Sequence, residues 1–167
     1  MTSSSQRVLL VGSDDPMLPA AIERDSDQSI VVEAIKAVHV ALGRIVEKGC
    51  DAVVCWAERE DELTGVIRIR KANPALPILL LTSRTEPEFE ALARRMGANQ
   101  LAPKHRDLGA LSETIRLALT TGELARGLRA EVGQARSLSR EVAALAQENR
   151  KLIQEALRSG SPAIRKP

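Results

Sequence analysis

Aromatic side chains are almost absent from this chain: 167 residues hold one Trp, one Phe and no Tyr. Binders of RNA or single strands that stack bases need aromatic platforms, so that class is excluded. The core must then be aliphatic. Cysteine is as sparse: Cys50 and Cys55 are not in a CxxC spacing and have no Cys/His cluster beside them, which reads as structural thiols in a reducing compartment. No window approaches the run of about 18 apolar residues that a helical membrane span needs. Met1-Thr2-Ser3-Ser4-Ser5 is too polar for a signal sequence, so a cytoplasmic protein with no membrane association is expected. His39 falls in a helical pattern and His105 in a turn, and neither has the Ser, Cys or Asp context of nucleophilic catalysis. A dominant charge is lacking too. The net formal charge is +2, with 14 Lys and Arg against 16 Asp and Glu in residues 1–107 and 10 against 6 in residues 108–167. That is no nucleic-acid footprint, and the basic excess of the second part is interspersed with Glu as on a solvated helix face.

What is present is an alternation. Hydrophobic residues make up 44% of the chain, enough for one domain with an appendage. Short apolar runs bounded by polar segments predict buried strands at 7–11, 29–33, 51–56, 77–82 and 100–102. Helical spacing fills the intervals. Asp15 before Pro16 reads as an N-cap followed by Pro at the first helical position, starting a short helix over 17–24. Residues 34–48 show an apolar face of Ala37, Val38, Ala41, Leu42, Ile45 and Val46, closed by Gly49. A third helix carries Leu63, Val66, Ile67 and Ile69. A fourth begins on a capping box, Thr85 to Glu88, and runs through Phe89, Leu92, Ala93 and Met96 to Gly97. A fifth starts after Asp107. Five strand–helix repeats call for a parallel sheet with helices on both faces.

The fifth helical pattern does not stop where the domain should. Gly122 could end it, but beyond that point Leu124, Glu131, Leu138, Leu145 and Leu152 fall at heptad position d. Leu128, Ala135, Val142, Asn149 and Ala156 fall at a. Eight of these ten are apolar, which predicts a coiled coil over 121–158. Asn149 at a fixes register and favours two parallel strands, while Gly127, Glu131 and Gly133 loosen the near part. An unbroken helix from Leu108 would be roughly 75 Å long. Residues 1–6 and 159–167 are expected to be disordered, leaving 7–120 as the head.

Arg7–Val11 with its acidic turn, Asp51–Trp56, Ile78–Thr82 and Gly97–Lys104 together resemble the (βα)5 receiver domain of bacterial response regulators, over about residues 6–120. The resemblance implies a CheY-like, flavodoxin-like doubly wound sheet of order 2-1-3-4-5. It also implies a site at the carboxyl ends of the strands. There, receivers take a phosphoryl group onto an Asp ending the third strand, with an acidic pair for Mg²⁺, a Thr or Ser ending the fourth strand and a Lys after the fifth. The chemistry is coherent, because a carboxylate nucleophile needs a cation to offset the incoming charge and donors for the phosphoryl oxygens.

In this chain Thr82 matches the hydroxyl and Lys104 the Lys, but the acceptor position holds Trp56, whose indole has no nucleophilic oxygen. Asp14 and Asp15 reach the acidic-pair positions only by a shift of one or two residues. They read as helix caps, since a metal site would lack its third carboxylate. Pro103-Lys104 reverses the family's Lys-Pro, and Leu101 replaces its switch aromatic. The expected protein is therefore an atypical receiver without phosphoryl chemistry: a non-enzymatic signalling or scaffolding module with no cofactor, no Mg²⁺ and no small-molecule substrate. Its expected partners are a second copy, through Leu124, Leu128, Leu138, Val142, Leu145, Asn149 and Leu152 in a parallel homodimer, and a signalling protein on the fourth-helix and fifth-strand face that receivers use for output, which the resemblance places at Phe89, Arg94, Arg95 and Leu101. Two alternatives stand beside this: a phosphoacceptor using displaced Asp14, Asp15 or Glu58, and a DNA-associated transcriptional regulator. Glu58 and Asp61 are otherwise expected to be solvated surface. Trp56 could mark a partner-binding rim or plug the vacant acidic pocket.

Overall fold

The computed structural model describes residues 5–26, 29–104 and 108–159. Strands β1 (Gln6–Val11), β2 (Ile30–Ile35), β3 (Ala52–Trp56), β4 (Ile78–Thr82) and β5 (Gln100–Pro103) form one parallel sheet of order β2-β1-β3-β4-β5, as the resemblance implied. Helices α1 (Leu18–Asp25), α2 (Val38–Lys48), α3 (Leu63–Ala72), α4 (Pro87–Met96) and α5 (Leu108–Ser159) connect and follow them. The chain divides into two compact units, residues 1–126 and 127–167.

Alternation along the strands builds two apolar layers, because successive side chains point to opposite faces. Leu9, Val11, Val53, Cys55, Ile78 and Leu80 pack with buried residues of α2, α3 and α4. Val8, Leu10, Val54, Leu79 and Leu81 pack with Leu18 and Ile22 of α1 and Leu111, Ile115 and Leu119 of α5. The three middle strands are buried on both faces, which is why they read as continuous apolar runs. Burial pushes the Cys55 thiol up to about 12; burial and then the neighbouring Asp51 push Cys50 up to about 11, so neither is a nucleophile near neutral pH.

Several local expectations are corrected. β2 continues to Ile35, so α2 begins at Val38 rather than at residue 34, and Val46 is exposed rather than on the packed face. α1 begins two residues beyond Pro16, with Met17 at its N-cap and Pro19 in its first turn; Asp15 instead closes a local turn by accepting the Met17 N–H at 2.9 Å. The capping box at Thr85 does not form. Glu86 is the N-cap and Pro87 the first helical residue, and the Glu86 carboxylate accepts from the Arg84 guanidinium and the Thr85 N–H. Gln6, expected in the disordered start, opens β1 and donates to Glu123 at 2.7 Å. The Asp107 cap, His105 and the ends 1–4 and 160–167 lie outside the described residues.

Gly122 does not end α5. A Cβ at this position would overlap the Pro77 ring, so the helix passes the start of β4 only because the residue is Gly. Gly127 and Gly133 lie in the same helix with open space around them. Gly122→Ala is therefore expected to destabilise by about 1–3 kcal/mol through overpacking, although Ala is the better helix former by about 1 kcal/mol. Gly133→Ala should raise stability by up to about 1 kcal/mol. Urea denaturation followed by circular dichroism separates the two, and opposite signs are the expected result.

One polar hub ties α3 to the β5 side. Arg70 donates to the Gly97 carbonyl at 2.7 Å, the Leu76 carbonyl at 2.8 Å and Asn99 Oδ1 at 2.7 Å. At the opposite edge from the candidate site, Asp51 accepts the Arg7 N–H at 2.9 Å and lies 3.7 Å from Arg126 of α5.

Candidate functional site

Because every strand is parallel, the ends of β1, β3, β4 and β5 gather at one edge of the sheet, where open α/β folds place their ligands. β3 ends with Trp56 opposite Leu81, and β4 ends with Thr82 opposite Pro103. Gly12 leaves β1 with φ +82, a backbone conformation that favours glycine, and a Cβ there would meet the Trp56 carbonyl at 3.3 Å.

The chain after β3 does not run off into solvent. Ala57 is buried and donates to the Leu81 carbonyl at 3.1 Å, extending β3's course by one residue. The loop then closes on Glu62, whose Oε2 accepts the N–H groups of Glu58 at 2.7 Å and Arg59 at 3.1 Å. That closure turns the Glu58 side chain over the end of β4. Its Oε2 accepts the Ser83 N–H at 2.9 Å, the Ser83 hydroxyl at 2.5 Å and, at a long 3.5 Å, the Thr82 hydroxyl. Its Oε1 lies 3.7 Å from Lys104 Nζ. Glu58 is thus no solvated surface residue; its side chain keeps only 28% of its exposure. Asp61 is exposed and paired with Arg59.

Burial by itself would push the Glu58 carboxyl up. The Ser83 hydroxyl and N–H, the Lys104 charge and the Thr82 hydroxyl outweigh it and hold the carboxyl below its ordinary value. A carboxyl held low in the folded state contributes stability above the unfolded-state value of about 4.3 and loses it as pH falls through the folded value. Glu58→Gln is accordingly expected to be less stable than the parent by about 1 kcal/mol at pH 7, and the gap should close below about pH 4. Urea midpoints at the two pH values check this, and a gap that widens in acid would contradict it.

Lys104 also lies over the Trp56 ring, 4.0 Å from Nζ to the centroid. Trp56 is half-buried, its body against the α1–α5 layer and its ring beneath an ammonium group, a cation–π contact. It is a platform for Lys104. Thr82 is buried and accepts the Arg84 N–H at 3.1 Å as well as facing Glu58. Ser83, which sequence reasoning missed, supplies the two shortest bonds.

Asp14 is exposed and 3.8 Å from Lys36, and Asp15 caps its own turn. Receivers imply Mg²⁺ at this edge, held by carboxylates. Here Asp15 accepts the Met17 N–H, Asp14 stands exposed 3.8 Å from Lys36, the end of β3 is an indole, and Lys104 sits over that ring; these residues do not fit the ion. Trp56 also lines a cavity of about 390 Å³ that opens between Gly12, Lys36, Val38 and Gly65, with Asp14 and Glu62 balanced by Lys36 and Arg68.

Of the residues expected on a partner surface, Arg94 and Arg95 are exposed on α4 and Leu101 is half-buried on β5. Arg94 pairs with Glu90 at 2.9 Å and donates to the Asn99 carbonyl at 3.2 Å. Phe89 is a correction: it is 2% exposed and belongs to the core beneath α4, because it shares a stripe with Ala93 that faces the sheet. In the second unit Leu128, Leu138, Val142, Leu145 and Leu152 are all exposed on α5, and Asn149 is exposed among them. Leu124, the remaining leucine of the stripe, is exposed on the part of α5 that belongs to the first unit.

The sheet order and the edge so built define the fold of a response-regulator receiver domain. No family model matches the chain. It is 36% identical over 84 residues to the transcriptional regulatory protein ZraR of Salmonella typhimurium, which is 48% of this chain and 19% of that protein; the chain spans about a fifth of the length of the curated relatives it matches. Among solved structures it resembles NtrX from Brucella abortus, with TM-score 0.65 and 22% identity over 75% of this chain and 29% of that one. It also resembles an atypical orphan response regulator described as having a phosphorylation-independent regulatory mechanism, with TM-score 0.58 and 22% identity over 68% of this chain and 95% of that one. No helix among the described residues is long and apolar enough to cross a membrane.

Proposed function

We propose that the chain is a non-catalytic, cytoplasmic signalling module: a receiver-like head that works without phosphorylation, joined through α5 to a parallel homodimeric coiled coil and acting by protein–protein contact. The observation that carries this reading is the end of β3. Where a receiver presents its acceptor carboxylate, this chain presents the Trp56 indole, and Lys104 lies on that ring while pairing with Glu58. The heptad stripe supports the second copy, since Leu138, Val142, Leu145 and Leu152 expose large apolar side chains that a partner helix would cover. The exposed Arg94 and Arg95, with Leu101 beside them, are the candidate surface for the signalling partner.

Glu58 as a displaced phosphoacceptor is the second reading, favoured by its closeness to Thr82 and Lys104. Against it, the carboxylate already takes up the donors that a phosphoryl group would need. Incubation of the whole chain with acetyl phosphate and Mg²⁺, followed by intact mass, tests both: an unchanged mass is expected, and a stoichiometric phosphate adduct overturns the proposal. The likeness to ZraR, by name a transcriptional regulator, keeps a DNA-associated role in view. Salt-dependent binding to duplex DNA would favour that role, and its absence is expected.

A further inference from the structure

Four donors converge where β4 and β5 end. The Ser83 N–H and hydroxyl, the Thr82 hydroxyl and the Lys104 ammonium all meet the two oxygens of one carboxylate. A backbone N–H, two hydroxyls and an ammonium gathered in one spot suit any small oxyanion, because each is a donor and none brings negative charge. The carboxylate they hold comes from a loop. Glu58 lies between β3 and α3, and its backbone is positioned by the Glu62 cap.

We infer that this cluster is an oxyanion site whose ligand is the chain's own Glu58, so that its four donors are engaged with nothing added. The inference rests on the phosphorylation-independent reading and gives it a chemical basis: a tethered carboxylate takes the donors that receivers offer to phosphoryl oxygens. Tethering matters quantitatively. A group fixed beside its donors by a closed loop acts at an effective concentration far above the millimolar reached by flexible linkers, so millimolar free anions do not displace it. The unaltered site is closed to exogenous oxyanions, and removing the side chain opens it. The ligand class is a small carboxylate or a similar planar or tetrahedral oxyanion.

The test uses the full chain, ¹⁵N-labelled, with sodium acetate as probe and sodium chloride at equal ionic strength as control. In Glu58→Ala the Ser83 amide resonance should leave its parental position. Added acetate should return it saturably in the millimolar range, and the parent protein should show no such response at neutral pH. In the Glu58→Ala, Lys104→Met double variant acetate should bind at least about fivefold more weakly, the loss expected when one charged donor is removed. A Glu58→Ala protein without a saturable return, or a parent that responds equally, overturns the inference. So does a double variant that responds undiminished, which would mean an adventitious ion only. Should Glu58→Ala fail to fold, Glu58→Gln keeps an acceptor oxygen without charge, and a Ser83 amide unmoved by that change overturns the inference equally. The outcomes are separable from the phosphorylation test. A phosphate adduct on the parent would sink the functional reading whatever acetate does, and failure of acetate would leave an unphosphorylated parent unexplained but unchallenged.

Discussion

With Leu145 and Leu152 both changed to Gln, light scattering is expected to return the 18.1 kDa of a single chain where the parent returns twice that mass. The two leucines are 60% and 56% exposed on α5, one heptad apart at d. Burying a leucine is worth about 1.5–3 kcal/mol. A dimer buries four of these side chains, so their loss removes about 6–12 kcal/mol, or at least about four decades of affinity. Asn149 sits between them at a, and its amide is costly to bury except against the same residue of a partner in register, which is the argument for two parallel strands. Arg140→Gln, which falls on the outer side of the heptad, should leave the mass unchanged. A parent protein that scatters as a monomer would end the coiled-coil proposal.

Phe89→Ala should be the most damaging single change in the head. The ring is one of the largest fully buried side chains, packed among β4, α3 and α4 residues and covered by the Arg84 guanidinium 4.7 Å from its centroid. Truncating a buried Phe costs about 3–5 kcal/mol, a large part of the 5–15 kcal/mol that typically holds a domain together. Arg95→Ala, one turn and a half further along the exposed side of the same helix, should stay within about 0.5 kcal/mol. Urea unfolding of both variants gives the comparison, and similar midpoints would mean that the stripe containing Phe89 is not the core face.

How far the chain could be read in advance depends on the range of the forces involved. The five strands were legible because a doubly covered sheet forces apolar runs such as Ile78–Leu81, and β order followed from likeness to a known fold. Helix starts were less legible. Asp15-Pro16 and Thr85-Glu88 carry sound capping patterns, yet α1 and α4 begin at Leu18 and Pro87, where packing onto the sheet fixes the first turn. Gly122 looked like a stop, and only the approach of Pro77, 45 positions earlier, makes it a requirement for continuity. Phe89 was readable as core from its spacing with Leu92, Ala93 and Met96; its assignment to a partner surface came from the family resemblance instead.

The candidate site divides in the same way. Trp56, Thr82 and Lys104 were found because each occupies a fixed place at a strand end. Ser83 and the inward turn of Glu58 were not, since a bond between residues 25 apart depends on the Glu62 cap that folds the intervening loop. No local pattern announces such a closure.

The stack of Lys104 on Trp56 has a practical consequence. Trp56 is the only indole in the chain, so the whole ultraviolet emission of the protein originates at this edge of the sheet. A nearby ammonium perturbs the excited state of the ring, and Lys104 is in turn steered by Glu58. The intrinsic fluorescence therefore reports on this edge without a label, and a change in emission on Glu58→Gln, read by stopped flow or at equilibrium, is the expected signature of the carboxylate leaving its seat.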